Sequence, residues 1–250
     1  MPVGFPFCIF VAFYHFKKYS PLKKNAMAES MRHAVSRPKL REKIISAAID
    51  LFEKNGVKSV TMDNIASSLG ISKRTLYEVF ADKETLLVEC VRHGQEETDE
   101  YMRQVRDNSD NVLEVLLKGY QRSIERFHAT NKSFFEDIKR YPRAYSLIKN
   151  GNNRSANDTI NFFRQGVEQG YFRDDVNFAI VGLLVREQLD LLMDSELCRQ
   201  YSFLEVYESI MFISLRGIST EKGVVLLDDF IREYRQKQAS LLPRIHERKE

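Results

Sequence analysis

From residue 37 onward, apolar side chains recur at intervals of three and four positions along most of the chain, the spacing that puts them on one face of an α-helix. The first stripe is Ile44, Ile45, Ala48, Leu51 and Phe52, in a helix that opens at Ser36-Arg-Pro-Lys with Pro38 in its first turn and stops at Asn55-Gly56. A second, short helix follows Thr61, with Met62, Ile65, Ala66 and Leu69 as its apolar positions; Thr61 is a good N-cap and Asn64 stands three residues on. Gly70 ends it, because glycine takes the left-handed conformation of a sharp turn without a side-chain clash. Ile71 is expected to bury in the corner while Ser72 caps a third helix, whose Leu76, Val79 and Phe80 face inward and whose Lys73, Arg74, Thr75 and Tyr77 do not. Ala66 is small where the two short helices cross.

Helical periodicity runs through almost all of the rest of the chain. Asp82 is positioned to cap a long helix whose Leu86, Leu87, Cys90 and Val91 can pack back onto the first three. Val112, Val115, Leu116, Gly119, Tyr120, Ile124 and Phe127 give another helix; Phe134, Phe135, Ile138 and Tyr141 give the next, cut near Pro142. Asn150-Gly-Asn-Asn reads as a loop, Ser155 to Gln169 as a helix, and Gly170-Tyr-Phe-Arg-Asp-Asp as a turn. From Phe178 to Leu192, and again from Phe203 to Leu215, apolar residues occupy more than one helix face, with Val206, Ile210 and Ile213 on one side and Leu204, Tyr207, Met211 and Leu215 beside it. A helix apolar on two sides needs two partners: its own core and, in this reading, the same helix pair of a second subunit. Glycine and proline are sparse and no run of alternating strands stands out, so the fold class is all-α: a three-helix helix-turn-helix domain followed by a larger helical domain.

Composition changes this picture little. An apolar share of 43% supports a proper core. The net charge of +3 is carried entirely by Lys17, Lys18, Lys23 and Lys24 against Glu29, so bulk charge is no argument for nucleic acid. Between Arg37 and Phe80 the basic residues Arg37, Lys39, Arg41, Lys43, Lys54, Lys58, Lys73 and Arg74 outnumber Glu42, Asp50, Glu53, Asp63 and Glu78, which makes any footprint local. Cys8, Cys90 and Cys198 have no paired spacing, which suits a reducing cytoplasm rather than a disulfide framework or a zinc site. The acidic run Glu96, Glu97, Asp99 and Glu100 reads as a solvated helix face. Val3 to Phe16 is apolar but shorter than a membrane-spanning helix and broken by Gly4 and Pro6, and its lysines follow it rather than precede it, unlike a secretory signal. No stable membrane association is expected. Met27 and Met31 are candidate start sites, and residues 1–35 are read as an extension that is either untranslated or disordered.

Two short helices joined by a glycine corner form a device that places the second helix in the DNA major groove, where its exposed N-terminal side chains meet base edges. Arg can bond guanine O6 and N7 together, and Ser and Thr suit phosphates or either base type. The run from Phe52-Glu-Lys-Asn-Gly through Thr61-Met-Asp-Asn-Ile-Ala to Gly70-Ile-Ser-Lys-Arg-Thr-Leu-Tyr-Glu-Val-Phe-Ala-Asp-Lys-Glu-Thr-Leu resembles the TetR family of bacterial transcriptional regulators over residues 37 to 90. The resemblance implies that Thr61 and Tyr77 contact phosphates, that Ser72, Lys73, Arg74 and Thr75 face the groove, and that Lys83 reaches the DNA backbone from the start of the fourth helix. It also implies a DNA-binding domain over 36–82, a helical effector-binding and dimerisation domain over 83–240, and a charged tail over 241–250. Many relatives carry glycine where Arg74 stands, so a long-armed base or phosphate contact is expected here instead.

An effector site would draw on Phe127, Phe134, Phe135, Phe162 and Phe163, with Asn161, Arg164, Arg186 and Gln188 as polar anchors. The function expected is a cytoplasmic, dimeric repressor that binds a palindromic operator in double-stranded DNA and is released by an apolar or amphipathic small molecule. The competing class is a helical ligand-binding or interaction protein with a vestigial helix-turn-helix. No nucleophile–base set, metal cluster or phosphate loop is visible, so no catalytic residue, metal or cofactor is expected.

Overall fold

The computed structural model describes residues 37–150, 156–194 and 200–241. Their regular elements are helices: α1 (Arg37–Asn55), α2 (Met62–Ser68), α3 (Lys73–Val79), α4 (Lys83–Asp107), α5 (Val112–Ala129), α6 (Lys132–Ile138), α7 (Pro142–Asn150), α8 (Ala156–Glu168), α9 (Phe178–Asp194), α10 (Phe203–Ile218) and α11 (Glu221–Leu241). One isolated antiparallel bridge joins Phe172 and Ser219. The all-α class is therefore as the periodicity requires, with a helix-turn-helix cluster followed by a helical bundle. The N-terminal extension, the loop after Asn150 and the tail beyond residue 241 lie outside the described residues.

The described chain forms two compact units, one of residues 37–101 and 123–150, the other of 102–122, 156–194 and 200–241. This grouping does not follow the boundary expected between residues 82 and 83, because the apolar stripe of α4 belongs to the first unit's core. Leu86, Leu87, Cys90 and Val91 are buried there with Ile44, Ala48 and Phe52 of α1, Ile65 and Ala66 of α2, and Leu76 and Phe80 at α3. Phe134 and Ile138 of α6 and Ala144 and Ile148 of α7 close the same core. Burial of each such large apolar side chain contributes about 1.5–3 kcal/mol, so this core, not surface charge, fixes where α3 sits.

The first unit also ties α1 to distant chain through its backbone. The last carbonyls of a helix lack partners within it. Here the Asn131 backbone N–H donates to the Glu53 carbonyl (2.8 Å) and its Nδ2 to that of Lys54 (3.0 Å), while Oδ1 accepts the Ser133 N–H at the start of α6. Four residues on from Lys54, the Lys58 N–H donates to Asp137 Oδ2 at 2.6 Å. Between them Gly56 has φ +79°, and a Cβ there would collide with Ser133 Oγ and lie 3.0 Å from Asp137 Oδ2.

In the second unit Tyr120 of α5 is fully buried among Tyr207, Phe212, Phe230 and Tyr234, with ring centroids 4.8–6.1 Å away. Its hydroxyl donates to Glu208 Oε1 at 3.1 Å, and burial raises its pKa far above the ordinary phenol value. The Gly170 turn, at φ +74°, is pinned to the α10–α11 junction by Arg173 N–H to the Ile218 carbonyl (2.9 Å) and Thr220 N–H to that of Tyr171 (3.0 Å).

Candidate nucleic-acid interface

Local chemistry sets the corner. The Thr61 side chain accepts the Asn64 N–H (3.1 Å) and Asn64 Oδ1 accepts the Thr61 N–H (2.8 Å), a reciprocal box that starts α2. Gly70, at φ +64°, turns the chain with open space where a side chain would stand. Ile71 N–H donates back to the Ala66 carbonyl at 3.1 Å, and Ile71 is half-buried against the core. Ser72 Oγ then accepts the Thr75 N–H (3.0 Å) to cap α3. Leu76 and Phe80 are sealed and Val79 half-buried, whereas Ser72, Lys73, Arg74 and Tyr77 are exposed and Thr75 is intermediate. Six of the seven predicted DNA contacts, from Thr61 to Tyr77, thus come to one corner. Three hydroxyls are already engaged: those of Ser72 and Thr75 lie 2.8 Å apart, and that of Thr61 is held by Asn64.

The cations of that face are also engaged. Lys73 Nζ lies 2.9 Å from Asp63 Oδ1, across the corner from α3 to α2, and this hydrogen-bonded carboxylate holds the ammonium pKa above its usual value. Arg74 Nε donates to Glu78 Oε1 at 3.0 Å, one turn along the same helix, with the Arg74 side chain 89% exposed. Exposed pairs of this kind contribute little beside the core, so they can be exchanged for another partner without disturbing the corner. Asp63 and Glu78 were not among the predicted site residues. The spacing of four from Arg74 to Glu78 was a readable signal; the ten-residue step from Asp63 to Lys73 needed the fold.

Residues 44–90 match the family model described as bacterial regulatory proteins, tetR family. These residues carry the N-terminal domain of that family. Similar TetR-type relatives include the HTH-type transcriptional repressor KstR2 of Mycobacterium tuberculosis, 29% identical over 153 residues, which span 59% of this chain and 76% of that protein. The HTH-type transcriptional regulator SAR2658 of Staphylococcus aureus is 23% identical over 179 residues, 71% of this chain and 88% of the relative. The solved structure of a TetR-family transcriptional regulator from Marinobacter aquaeolei shares the fold, with a TM-score of 0.55 at 18% identity over 76% of this chain and 98% of that one.

Other residues singled out by the TetR resemblance are placed differently. Lys83 turns inward: its ammonium donates to the Val57 carbonyl and stands 5.8 Å from the Phe52 ring centre and 5.7 Å from that of Tyr141. Burial lowers its pKa, an effect partly offset by Asp137. In this placement it braces the turn before α2.

The nine residues expected around an effector are divided between the two units. Phe127, Phe134 and Phe135 belong to the first unit, where Phe127 stacks on Phe135 at 5.4 Å and Phe134 is sealed in the core that seats α1–α3. Phe163 is likewise core, buried between Phe172 and Phe178 of the second unit. Asn161, Arg164 and Gln188 are exposed, and Phe162 and Arg186 are half-buried, with the Arg106 guanidinium 5.8 Å from the Phe162 ring centre. Gln188 shares its exposed stripe of α9 with Ile180 and Leu184, which sets it on an outer face. The two-sided character read in the last helices is present: Tyr207, Met211 and Leu215 of α10 are buried, while Ile213 of α10 (72%) and Leu184 of α9 (57%) are open to solvent, together with Ile180 and Leu183.

No helix among the described residues is long and apolar enough to cross a membrane.

Proposed function

We propose that the chain is a dimeric, sequence-specific transcriptional repressor that reads a palindromic operator with α3 and leaves it when a small apolar or amphipathic molecule binds the helical domain. The observation that carries this reading is the division of α3 into a sealed face, Leu76 and Phe80, and an exposed face of Ser72, Lys73, Arg74 and Tyr77. Side chains that only solvate a helix do not require a capped, glycine-cornered mount; a helix that enters the major groove does. Repression is the direction suggested by KstR2, a transcriptional repressor by name. Thr61 and Tyr77 are assigned to phosphates, and Lys73 and Arg74 to the groove.

Two recognition helices about 34 Å apart are needed for a two-fold operator. The exposed apolar residues of α9 and α10 favour an isologous pairing of those helices, in which two subunits bury one four-helix seam. For the effector, Phe162 and Arg186 are better placed than the sealed Phe163, since a half-buried side chain still has surface to offer a ligand. The ligand acts by binding two conformations unequally, a difference of about 1–3 kcal/mol in such systems. Helix α4 suits the role of transmitter because it starts at the Asp82 cap beside α3 and contributes residues to both compact units.

Selection of bound sequences from random duplex DNA tests the reading. Enrichment of a palindrome is expected; recovery of unenriched DNA favours the helical ligand-binding protein with a vestigial corner.

A further inference from the structure

From Thr61 to Phe80 the chain carries four ionised side chains, Asp63, Lys73, Arg74 and Glu78, and they pair among themselves. The face that would meet DNA is therefore neutral as a whole. Attraction to an arbitrary duplex comes from free cations that displace counterions from phosphates. A cation that keeps its own carboxylate supplies little of this. The Arg74–Glu78 pair is weak for two reasons: both side chains are more than half exposed, and the base precedes the acid along the helix, the less favourable order. It will separate when Arg74 is offered something better, and a guanine edge, with O6 and N7 side by side, is better.

Separation leaves Glu78 four residues on, one turn along the same helix face and close to the phosphates, where a bare carboxylate is repelled. Of the two amino donors in the major groove, that of adenine stands beside its N7 acceptor, which a carboxylate cannot use, so the N4 amino group of cytosine suits an acceptor-only group better. Resting on α3 as the reading helix, the geometry points to Glu78 as a specificity-determining residue: it occupies Arg74 on unmatched DNA, and on the operator the pair parts, Arg74 to guanine and Glu78 to a cytosine amino group. Asp63 provides the contrast. It occupies Lys73 from the neighbouring helix α2, so its removal frees a cation without taking an acceptor from α3.

The test is random-sequence selection with the full chain, Glu78→Gln and Asp63→Asn, followed by salt titrations on the recovered site and on a random duplex. Both positions are exposed, and far-ultraviolet circular dichroism checks that helical content is kept. The wild-type site should hold a guanine and a cytosine preference in each half. Glu78→Gln should lose the cytosine preference or exchange it for adenine, which glutamine bonds through two atoms. It should also bind the random duplex up to about eightfold more tightly at about 0.1 M salt, with a log–log salt slope steeper by about 0.9, the signature of one more phosphate contact. Asp63→Asn should tighten both duplexes alike and select the wild-type site. Recovery of an unchanged site by Glu78→Gln, with an unchanged ratio of specific to random affinity, overturns the role of Glu78 and leaves α3 as the reader. No enrichment by the wild-type protein overturns both.

Discussion

Arg74 and Lys83 show how differently two cations near one corner can be used. Among the described residues Arg74 pairs with Glu78 alone, and its side chain lies outside the core. Arg74→Ala should leave the fold intact and relax base preference at one position in each half-site, a loss of about 1–3 kcal/mol of discrimination there; unchanged selectivity in a competition assay would remove it from the readout. Lys83 is instead built into the turn between α1 and α2 by the Val57 carbonyl and the Phe52 and Tyr141 rings. Lys83→Ala should lower the unfolding free energy in urea by about 0.5–1.5 kcal/mol, the usual worth of one hydrogen bond. The salt dependence of DNA binding should not change; a slope shallower by about one ion would put Lys83 on a phosphate after all. The sequence places Lys83 in the first turn after Asp82, but not beside Val57 and Tyr141, which arrive from residues far along the chain.

At the level of elements, what could be read beforehand is what neighbouring residues decide. The caps at Thr61 and Ser72 and the glycine corner involve partners within four positions, and each is found as expected. Helix α11 was not foreseen: its stripe of Val224, Leu227, Ile231 and Tyr234 is narrow and interrupted by Asp228, Asp229, Arg232 and Glu233. Nor was the hold of α6 on the end of α1, since Asn131 and Asp137 stand more than 75 positions from the carbonyl of Lys54 and the N–H of Lys58 that they meet. Phe134 was read as a ligand contact for the same reason; periodicity marks it as apolar and does not say which core it enters. Two glycines separate the local from the tertiary effect. Gly70→Ala meets open space and should cost about 1–2 kcal/mol for its left-handed backbone alone. Gly56→Ala carries that cost and also drives Ser133 and Asp137 apart from the α1 turn, so its loss of stability should be clearly larger. Equal midpoints for the two variants in denaturant would show that the α6 contact is not a constraint.

For the whole molecule the property to test is the proposed two-fold pairing. Leu184 and Ile213 are apolar and open to solvent on α9 and α10, and the proposed pairing would bury them against the same surface of a second copy. Leu184→Glu combined with Ile213→Glu should give a monomer by light scattering and abolish binding to a palindrome while sparing the helical content; an unchanged dimer would place the seam elsewhere. The central claim is that α3 reads sequence, and the most direct test of it is the ratio of affinities for the selected operator and for a scrambled duplex of equal length at one salt concentration. A sequence reader should favour the operator by about 10³-fold or more, the usual range for specific DNA-binding proteins. A ratio near one would contradict the account, because α3 would then contribute no reading of base sequence.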